Sequence, residues 1–232
     1  MPHWRKLVSA ACLLAWFIYF CWDVPTVHFA PDDMMNMAYY FRAGWGRLLA
    51  AQVTPWTGFY RPMGGLFYMG LFHWFGLNPV AYHAVILPVL LASVYLVYRV
   101  ARLLGSGELE SGLAALVFCY HPGLSNLYYN SGFVYDVLCL FFYLAALVYY
   151  GRIRSLGRRL SGMETAVFLG LFLCALNSKE MAVTLPVVLA AYEWFYHRRK
   201  PGIVPAQVLR SLRRFSATQV RRTKETGPVR EH

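Results

Sequence analysis

Apolar residues run along this chain in long blocks that are separated by short polar or basic segments. A helix that crosses the ~30 Å hydrocarbon core of a membrane needs about 20 mostly apolar residues. Six blocks approach that length, and the pattern predicts an all-α, polytopic membrane domain over residues 1–200. The predicted membrane-spanning helices are residues 7–22, 82–104, 112–127, 134–150, 163–176 and 182–196.

A seventh apolar block, residues 63–77, is short and rich in glycine, and the basic residues decide how it is interpreted. If it crossed the membrane, the clusters at 99–102 and 152–159 would lie outside, against the tendency of Lys and Arg to stay in the cytoplasm. We therefore predict that this block is interfacial or re-entrant and that both chain termini are cytoplasmic. All four basic clusters then lie on one side: residues 4–6, 99–102, 152–159 and 197–200.

The first loop after the first span, residues 23–61, faces outward in this topology. Residues 33–51 carry apolar side chains at helical spacing and follow Pro31, which predicts a juxtamembrane helix with Asp32 or Asp33 as its N-cap. Such a helix would lie on the membrane surface.

Composition supports the membrane class, since 58% of residues are hydrophobic and only 14% are charged. The net charge of +11 would suggest a nucleic-acid partner in a soluble protein. Here the basic residues cluster at the ends of apolar blocks, so we expect the lipid bilayer as partner and no nucleic acid. The five cysteines lie in apolar runs and are expected to be packing residues. Residues 201–232 are predicted to form a basic cytoplasmic tail.

Candidate chemistry lies in the predicted outward loops. Asp32 and Asp33 are two of only 11 acidic residues, and they admit two interpretations: the acidic first turn of a helix, or a catalytic carboxylate. Arg61 is either a snorkelling side chain or a phosphate clamp. Asp136 opens an apolar span, where an aspartate needs a partner, a metal or a function. Lys179 and Glu180, between two spans, could neutralise each other or bind an anionic substrate.

No histidine or cysteine spacing indicates a metal site. A divalent metal held by Asp136, the acidic pair and a histidine stays open as an alternative, so the cofactor is left unknown.

The order of these motifs resembles the glycosyltransferase C superfamily, and within it the protein O-mannosyltransferase-like branch, which includes the transmembrane tetratricopeptide-repeat mannosyltransferases and bacterial relatives. The resemblance covers about residues 1–196. It rests on the acidic pair followed in order by FYRPMGGLFY, WFGLNPVAYH, VYRVARLLG, HP, SGFVYDVLCLFFYLA and NSKEMAVTLPVVLAAYEW.

This resemblance implies an enzyme that transfers a sugar from a polyprenyl-phosphate donor to an acceptor hydroxyl of a protein or glycan, on the non-cytoplasmic face and with inversion. It assigns the general base to Asp32 or Asp33. It also implies that Arg61 and Lys179, with Glu180 beside them, bind the donor phosphate, and that Asp136 binds a metal or orients the acceptor.

The chain departs from that family in three respects: Tyr135 stands where relatives often carry Arg, about six spans are predicted instead of nine or more, and no tetratricopeptide repeat follows. We therefore expect a truncated or half-length relative. The alternative is a non-catalytic membrane subunit, or a lipid-binding or assembly protein that keeps only part of the scaffold. A transporter is disfavoured because the polar residues lie in outward loops and not at mid-span. The expected location is a bacterial inner membrane.

Overall fold

The computed structural model describes residues 3–54 and 58–197. Every regular element within these two ranges is helical, which confirms the all-α prediction for them. The chain divides into two compact units, Met1–Leu185 and Pro186–His232. The predicted basic tail, residues 201–232, lies outside the described residues.

Two long helices of the first unit, α4 (Pro79–Leu103) and α7 (Val134–Ser155), pack against each other. By length and composition, two helices of the described residues could cross a membrane, α4 and the stretch Ser131–Ser155 that contains α7. A third span is possible if Ala10–Thr26 and Pro31–Ala51, which meet at an angle of 72°, form one bent crossing. The protein is thus a helical chain with two or three candidate spans by this criterion.

The remaining predicted spans correspond to shorter helices. Residues 112–127 are divided, because α5 (Glu108–Tyr120) stops where Pro122 would have to donate a backbone hydrogen bond, and a second short helix, α6 (Ser125–Tyr129), follows. Thirteen residues of α-helix rise only about 20 Å, less than the hydrocarbon core. The predicted span 163–176 is α8 (Gly162–Ser178), and the short apolar block 63–77 is α3 (Pro62–Phe75).

The helix predicted at residues 33–51 is present as α2 (Pro31–Ala51), but the prediction that Asp32 or Asp33 is its N-cap was wrong. Pro31 has a fixed φ that suits the first helical position, so the helix starts there and Ala30 is the N-cap residue. Asp32 and Asp33 are consequently the second and third helical residues. Gly44, with φ 76° and ψ 164°, interrupts the helix in its middle.

The core of the first unit is unusually rich in tyrosine. Tyr40, Tyr68, Tyr82 and Tyr128 are all fully buried, together with apolar residues of α1 (His3–Cys21), α4 and α7. Buried phenols need hydrogen-bond partners, and in this core several of those partners are residues of the candidate site.

Close packing around α3 depends on two adjacent glycines. A methyl group at Gly64 would overlap the ring of Tyr135, and one at Gly65 would overlap Leu48 and Tyr40. These two positions let α3 approach α2 and α7 closely.

The second unit contains, among its described residues, nearly all of α9 (Leu185–Tyr196). Tyr192 stacks on Tyr196 with ring centroids 5.1 Å apart. The last predicted span, 182–196, is α-helical only from Leu185. The preceding stretch, Glu180–Thr184, is a 3-10 helix.

Candidate functional site

Asp33 is fully buried, and both of its carboxylate oxygens accept hydrogen bonds. The hydroxyl of Tyr68 donates to Oδ1 at 2.7 Å, while the hydroxyl of Ser131 donates to Oδ2 at 2.8 Å. The backbone N–H of Ala30 also donates to Oδ2, at 2.8 Å, which satisfies one of the unpaired donors at the start of α2. Asp33 therefore ties the first turn of α2 to α3 and to the turn before α7.

Asp32 has a different environment, although it is the next residue. Its side chain is exposed, and it makes no hydrogen bond to another described residue. Its Cβ lies beside Gly132, where a methyl group would come to 3.5 Å. Of the two carboxylates, Asp32 is the one that a soluble or membrane-borne molecule can reach directly.

The partners of Asp33 escaped the sequence analysis. Tyr68 lies in the segment FYRPMGGLFY and Ser131 in the segment NSG, but neither carries a charge that would single it out. Burial raises the pKa of Tyr68 above its ordinary value, and the nearby Asp33 carboxylate adds to the effect. The phenol consequently remains a donor to the carboxylate over the whole physiological pH range.

A second buried contact connects this region to the loop before α3. The hydroxyls of Tyr40 and Tyr135 lie 3.0 Å apart, and the Tyr40 hydroxyl also lies 3.1 Å from the backbone carbonyl oxygens of Tyr60 and Arg61. Tyr40 can donate to one of these carbonyl oxygens while it accepts from Tyr135. These contacts hold the backbone that carries Arg61.

Arg61 has φ 40° and ψ 67°, the left-handed region, and it is the only non-glycine residue with positive φ among the described residues. Such a conformation costs on the order of 1 kcal/mol or more and persists where surrounding contacts enforce it. Here the contact with Tyr40 and the fixed ring of Pro62 at the first position of α3 enforce it. The resulting turn directs the Arg61 side chain toward α7.

The Arg61 guanidinium is partly buried and has three neighbours. Its Nη2 donates to the Glu180 carboxylate, at 3.0 Å and 3.1 Å from the two oxygens. The group lies 4.7 Å from the ring centroid of Tyr60 and 5.2 Å from that of Tyr135, within cation–π range. Its Nε–H is buried and has no acceptor among the described residues. One donor of the cation is therefore unused.

Asp136 and Lys179 form the second ion pair. The ammonium of Lys179 lies 2.5 Å from Oδ1 of Asp136, and both side chains are largely buried, 20% and 27% exposed respectively. An aspartate in the first turn of α7 is also favoured by the positive end of the helix dipole. The partner that the sequence demanded for Asp136 is thus Lys179.

Four of the predicted residues form two ion pairs, Arg61–Glu180 and Asp136–Lys179. The two pairs are adjacent because Lys179 and Glu180 follow each other in the chain. The acidic pair makes no hydrogen bond to these four within the described part of the chain. It is linked to them through the tyrosines instead: the ring of Tyr135 lies 6.3 Å from that of Tyr68, which binds Asp33. Tyr135 immediately precedes Asp136.

Of the two interpretations of Lys179 and Glu180, the structure does not have the mutual ion pair, and binding of an anionic substrate stays a prediction. Lys179 and Glu180 do not pair with each other but with residues from two other segments. The pKa of Glu180 is lowered from its ordinary value, first by a hydrogen bond from its own backbone N–H and then by Arg61.

Among the residues that the structure describes, no group of three or more His, Cys, Asp or Glu side chains is arranged to hold a metal ion. The metal alternative drawn from the sequence would require Asp136 to exchange Lys179 for the ion. His83 is buried, and neither of its ring nitrogens makes a well-formed hydrogen bond to a described residue.

Chemically, the arrangement offers one accessible carboxylate, one partly buried cation with a spare donor, and a half-buried aspartate held by lysine. The accessible carboxylate of Asp32 can accept a proton, and the guanidinium of Arg61 can bind an anionic oxygen.

Comparison of the chain with protein-family models, curated proteins and solved structures finds no match.

Proposed function

We propose that this protein is a membrane glycosyltransferase that transfers a sugar from a polyprenyl-phosphate donor to an acceptor hydroxyl on the non-cytoplasmic face. The supporting observation is that the polar residues of the motifs, which come from four separate segments, form one connected region at the ends of α2, α3, α7 and α8. A purely topological role for these residues would not require them to meet.

Asp32 is the proposed general base. It takes the proton of the acceptor hydroxyl as that oxygen attacks the anomeric carbon, and the bond between this carbon and the phosphate oxygen breaks. The products are the inverted glycoside and polyprenyl phosphate. Asp33 has a supporting role, because its oxygens are already engaged by Tyr68, Ser131 and Ala30.

Arg61 is the proposed binding residue for the departing phosphate. Its guanidinium, on a side chain that is 20% exposed, can donate to a phosphate oxygen and stabilises the charge that develops there. Lys179 adds a second positive charge, while Asp136 and Glu180 hold the two cations in place. The guanidinium over Tyr135 also puts a cation beside the position where the resembling family often carries an arginine.

The activity is tested by incubating the purified full-length chain with undecaprenyl-phosphate mannose or undecaprenyl-phosphate glucose and a peptide that contains serine and threonine as acceptor, and measuring release of undecaprenyl phosphate. Asp32→Asn should lower the rate by about 100-fold or more, the usual range for loss of a general base. Glu110→Gln, the same change of carboxylate to amide at an exposed residue that is not one of the proposed site residues, is the matched control and should not change the rate. Equal rates for the wild type and Asp32→Asn would remove the proposed base.

The finer topology is also a proposal: six spans, with α3 interfacial or re-entrant, both termini in the cytoplasm, and the site on the outer face of a bacterial inner membrane. It is supported by the clustering of basic residues at alternate helix ends. Val53 and Leu109 are both exposed, at 66% and 68%, so Val53→Cys and Leu109→Cys test it in a Cys12→Ser background. A membrane-impermeant maleimide should label position 53 only, and labelling of position 109 from outside would contradict it.

A second candidate function, a non-catalytic membrane subunit that keeps the scaffold, is favoured by one observation. All four of Arg61, Asp136, Lys179 and Glu180 are already neutralised in pairs. A site whose charges satisfy each other does not need a substrate to be stable. Binding of the donor without any release of polyprenyl phosphate by the wild type would favour this candidate.

A further inference from the structure

A cavity with a volume of about 760 Å³ lies beside α2, and none of the four residues of the two ion pairs lines it. Most of its wall is apolar, formed by Met35, Ala38, Ala43, Ala50, Ala51 and Phe59. The many alanines explain the space, because their side chains do not fill the gap between α2 and the segment that begins at Gly58.

Two arginines, Arg42 and Arg47, also line this cavity. They lie on either side of the break at Gly44. Both are exposed, and neither makes a hydrogen bond or ion pair with another described residue. No aspartate or glutamate of the described chain is among the lining residues. In a chain where Arg61, Arg158 and Lys179 all have carboxylate partners, these two guanidiniums are without one.

We propose that this cavity binds the headgroup and the upper acyl chains of an anionic phospholipid. Two guanidiniums that line the same cavity can both bind the phosphodiester of one lipid, and the apolar wall suits hydrocarbon. Phe41, Trp45 and Leu49 of α2 do not line the cavity and are exposed, so they can contact membrane lipid. Arginines at the level of lipid headgroups gain from the negative surface of the membrane.

A small anion alone fits the cavity poorly. Phosphate would use the two arginines but leave the apolar wall and most of the volume in contact with water. A neutral lipid would cover the apolar wall and leave Arg42 and Arg47 without an anionic partner. The apolar wall and the two arginines without carboxylate partners together favour an amphiphile with a negative headgroup. This inference does not depend on the proposed sugar transfer, because it concerns binding only.

The experiment compares thermal stability of the purified full-length chain in nanodiscs of phosphatidylcholine with and without phosphatidylglycerol, and counts retained lipids by native mass spectrometry. We expect phosphatidylglycerol to raise the melting temperature and to remain bound. Arg42→Gln with Arg47→Gln should abolish both effects. The matched control, Arg99→Gln with Arg152→Gln, removes the same charge from the predicted cytoplasmic side and should retain them.

A second variant keeps the charges and fills the space. Ala38→Phe places a ring in the cavity from an exposed helical position, and it should reduce retention of phosphatidylglycerol several-fold with both arginines present. Two arms separate the possible sources of the phosphate group: inorganic phosphate in phosphatidylcholine nanodiscs, and undecaprenyl phosphate added to phosphatidylglycerol nanodiscs.

Three results would overturn the proposal. The first is an equal effect of phosphatidylglycerol on the wild type and the Arg42/Arg47 double variant. The second is full stabilisation by inorganic phosphate alone, which would make the cavity a small-anion site. The third is displacement of phosphatidylglycerol by stoichiometric undecaprenyl phosphate, which would assign the cavity to a polyprenyl lipid. Failure of the transfer assay would affect none of these readouts.

Discussion

Tyr68 donates a hydrogen bond of 2.7 Å to Oδ1 of Asp33, and the two residues are 35 positions apart in the chain. Both side chains are fully buried. The contact joins the first turn of α2 to the middle of α3, so the exposed Asp32 is held in place by its buried neighbour.

The first prediction concerns this contact. Tyr68→Phe should destabilise the protein by about 1–3 kcal/mol, because a buried carboxylate oxygen loses its donor. Thermal or denaturant unfolding in detergent measures the loss. Tyr98→Phe on α4 is the matched control, since that phenol makes no hydrogen bond with a described residue. A loss of stability no larger than the control's would show that the contact contributes little.

The second prediction concerns the close approach of α3 to α7. Gly64→Ala should destabilise the protein by about 1–3 kcal/mol, because the added methyl group overlaps the Tyr135 ring and forces one helix to shift. Gly70→Ala, in the same helix with no atom within 4 Å of the new methyl group, should be neutral or stabilise by up to about 1 kcal/mol. Comparison of the two unfolding transitions separates the overlap from the general effect of alanine in a helix.

The long helices were predictable from the sequence because their signal is local. Residues 82–104 and 134–150 lie within or almost within α4 and α7, since an apolar block longer than a soluble helix leaves few alternatives. The start of α2 was misjudged because Asp is a better N-cap than Ala, while the fixed φ of Pro31 decided the register.

The site was predictable only as a set of charges. Arg61, Asp136, Lys179 and Glu180 were identified because charged residues are scarce beside apolar spans. Which of them pair is a property of the tertiary structure, since Arg61 and Glu180 are 119 positions apart. Tyr68 and Ser131 were missed because neither is charged and a hydroxyl group in the sequence carries no signal of burial. Tyr68 is also one of 17 tyrosines in the chain. The same limit applies to the break at Gly44, whose flanking alanine and aromatic residues are compatible with helix.

The third prediction concerns the Asp136–Lys179 pair. Asp136→Asn should destabilise the protein by about 1–3 kcal/mol, because the largely buried Lys179 ammonium loses its charged partner. Adding Lys179→Met should recover part of the loss, since the uncompensated charge is then removed. A double-mutant cycle on unfolding free energies measures the coupling. Additive effects of the two substitutions would show that the pair is not coupled.

The fourth prediction concerns pH and the Arg61–Glu180 pair. The pKa of Glu180 is lowered first by its own backbone N–H and then by Arg61, so the carboxylate is favoured in the folded state. Its contribution to stability is therefore fully present above the ordinary glutamate pKa of about 4.3 and is lost as the pH falls through the lowered pKa. The side chain of Glu180 is 72% exposed, which limits this contribution to less than about 1 kcal/mol.

Unfolding of the wild type and of Glu180→Gln between about pH 3 and about pH 7 tests this dependence. The variant should be less stable than the wild type at neutral pH, and the two should converge as the pH falls, because the protonated carboxyl no longer differs in charge from the amide. Glu110→Gln, which removes an exposed carboxylate that makes no ion pair with a described residue, is the matched control. A constant difference between Glu180→Gln and the wild type across the range would mean that packing of the side chain matters there, and not its charge.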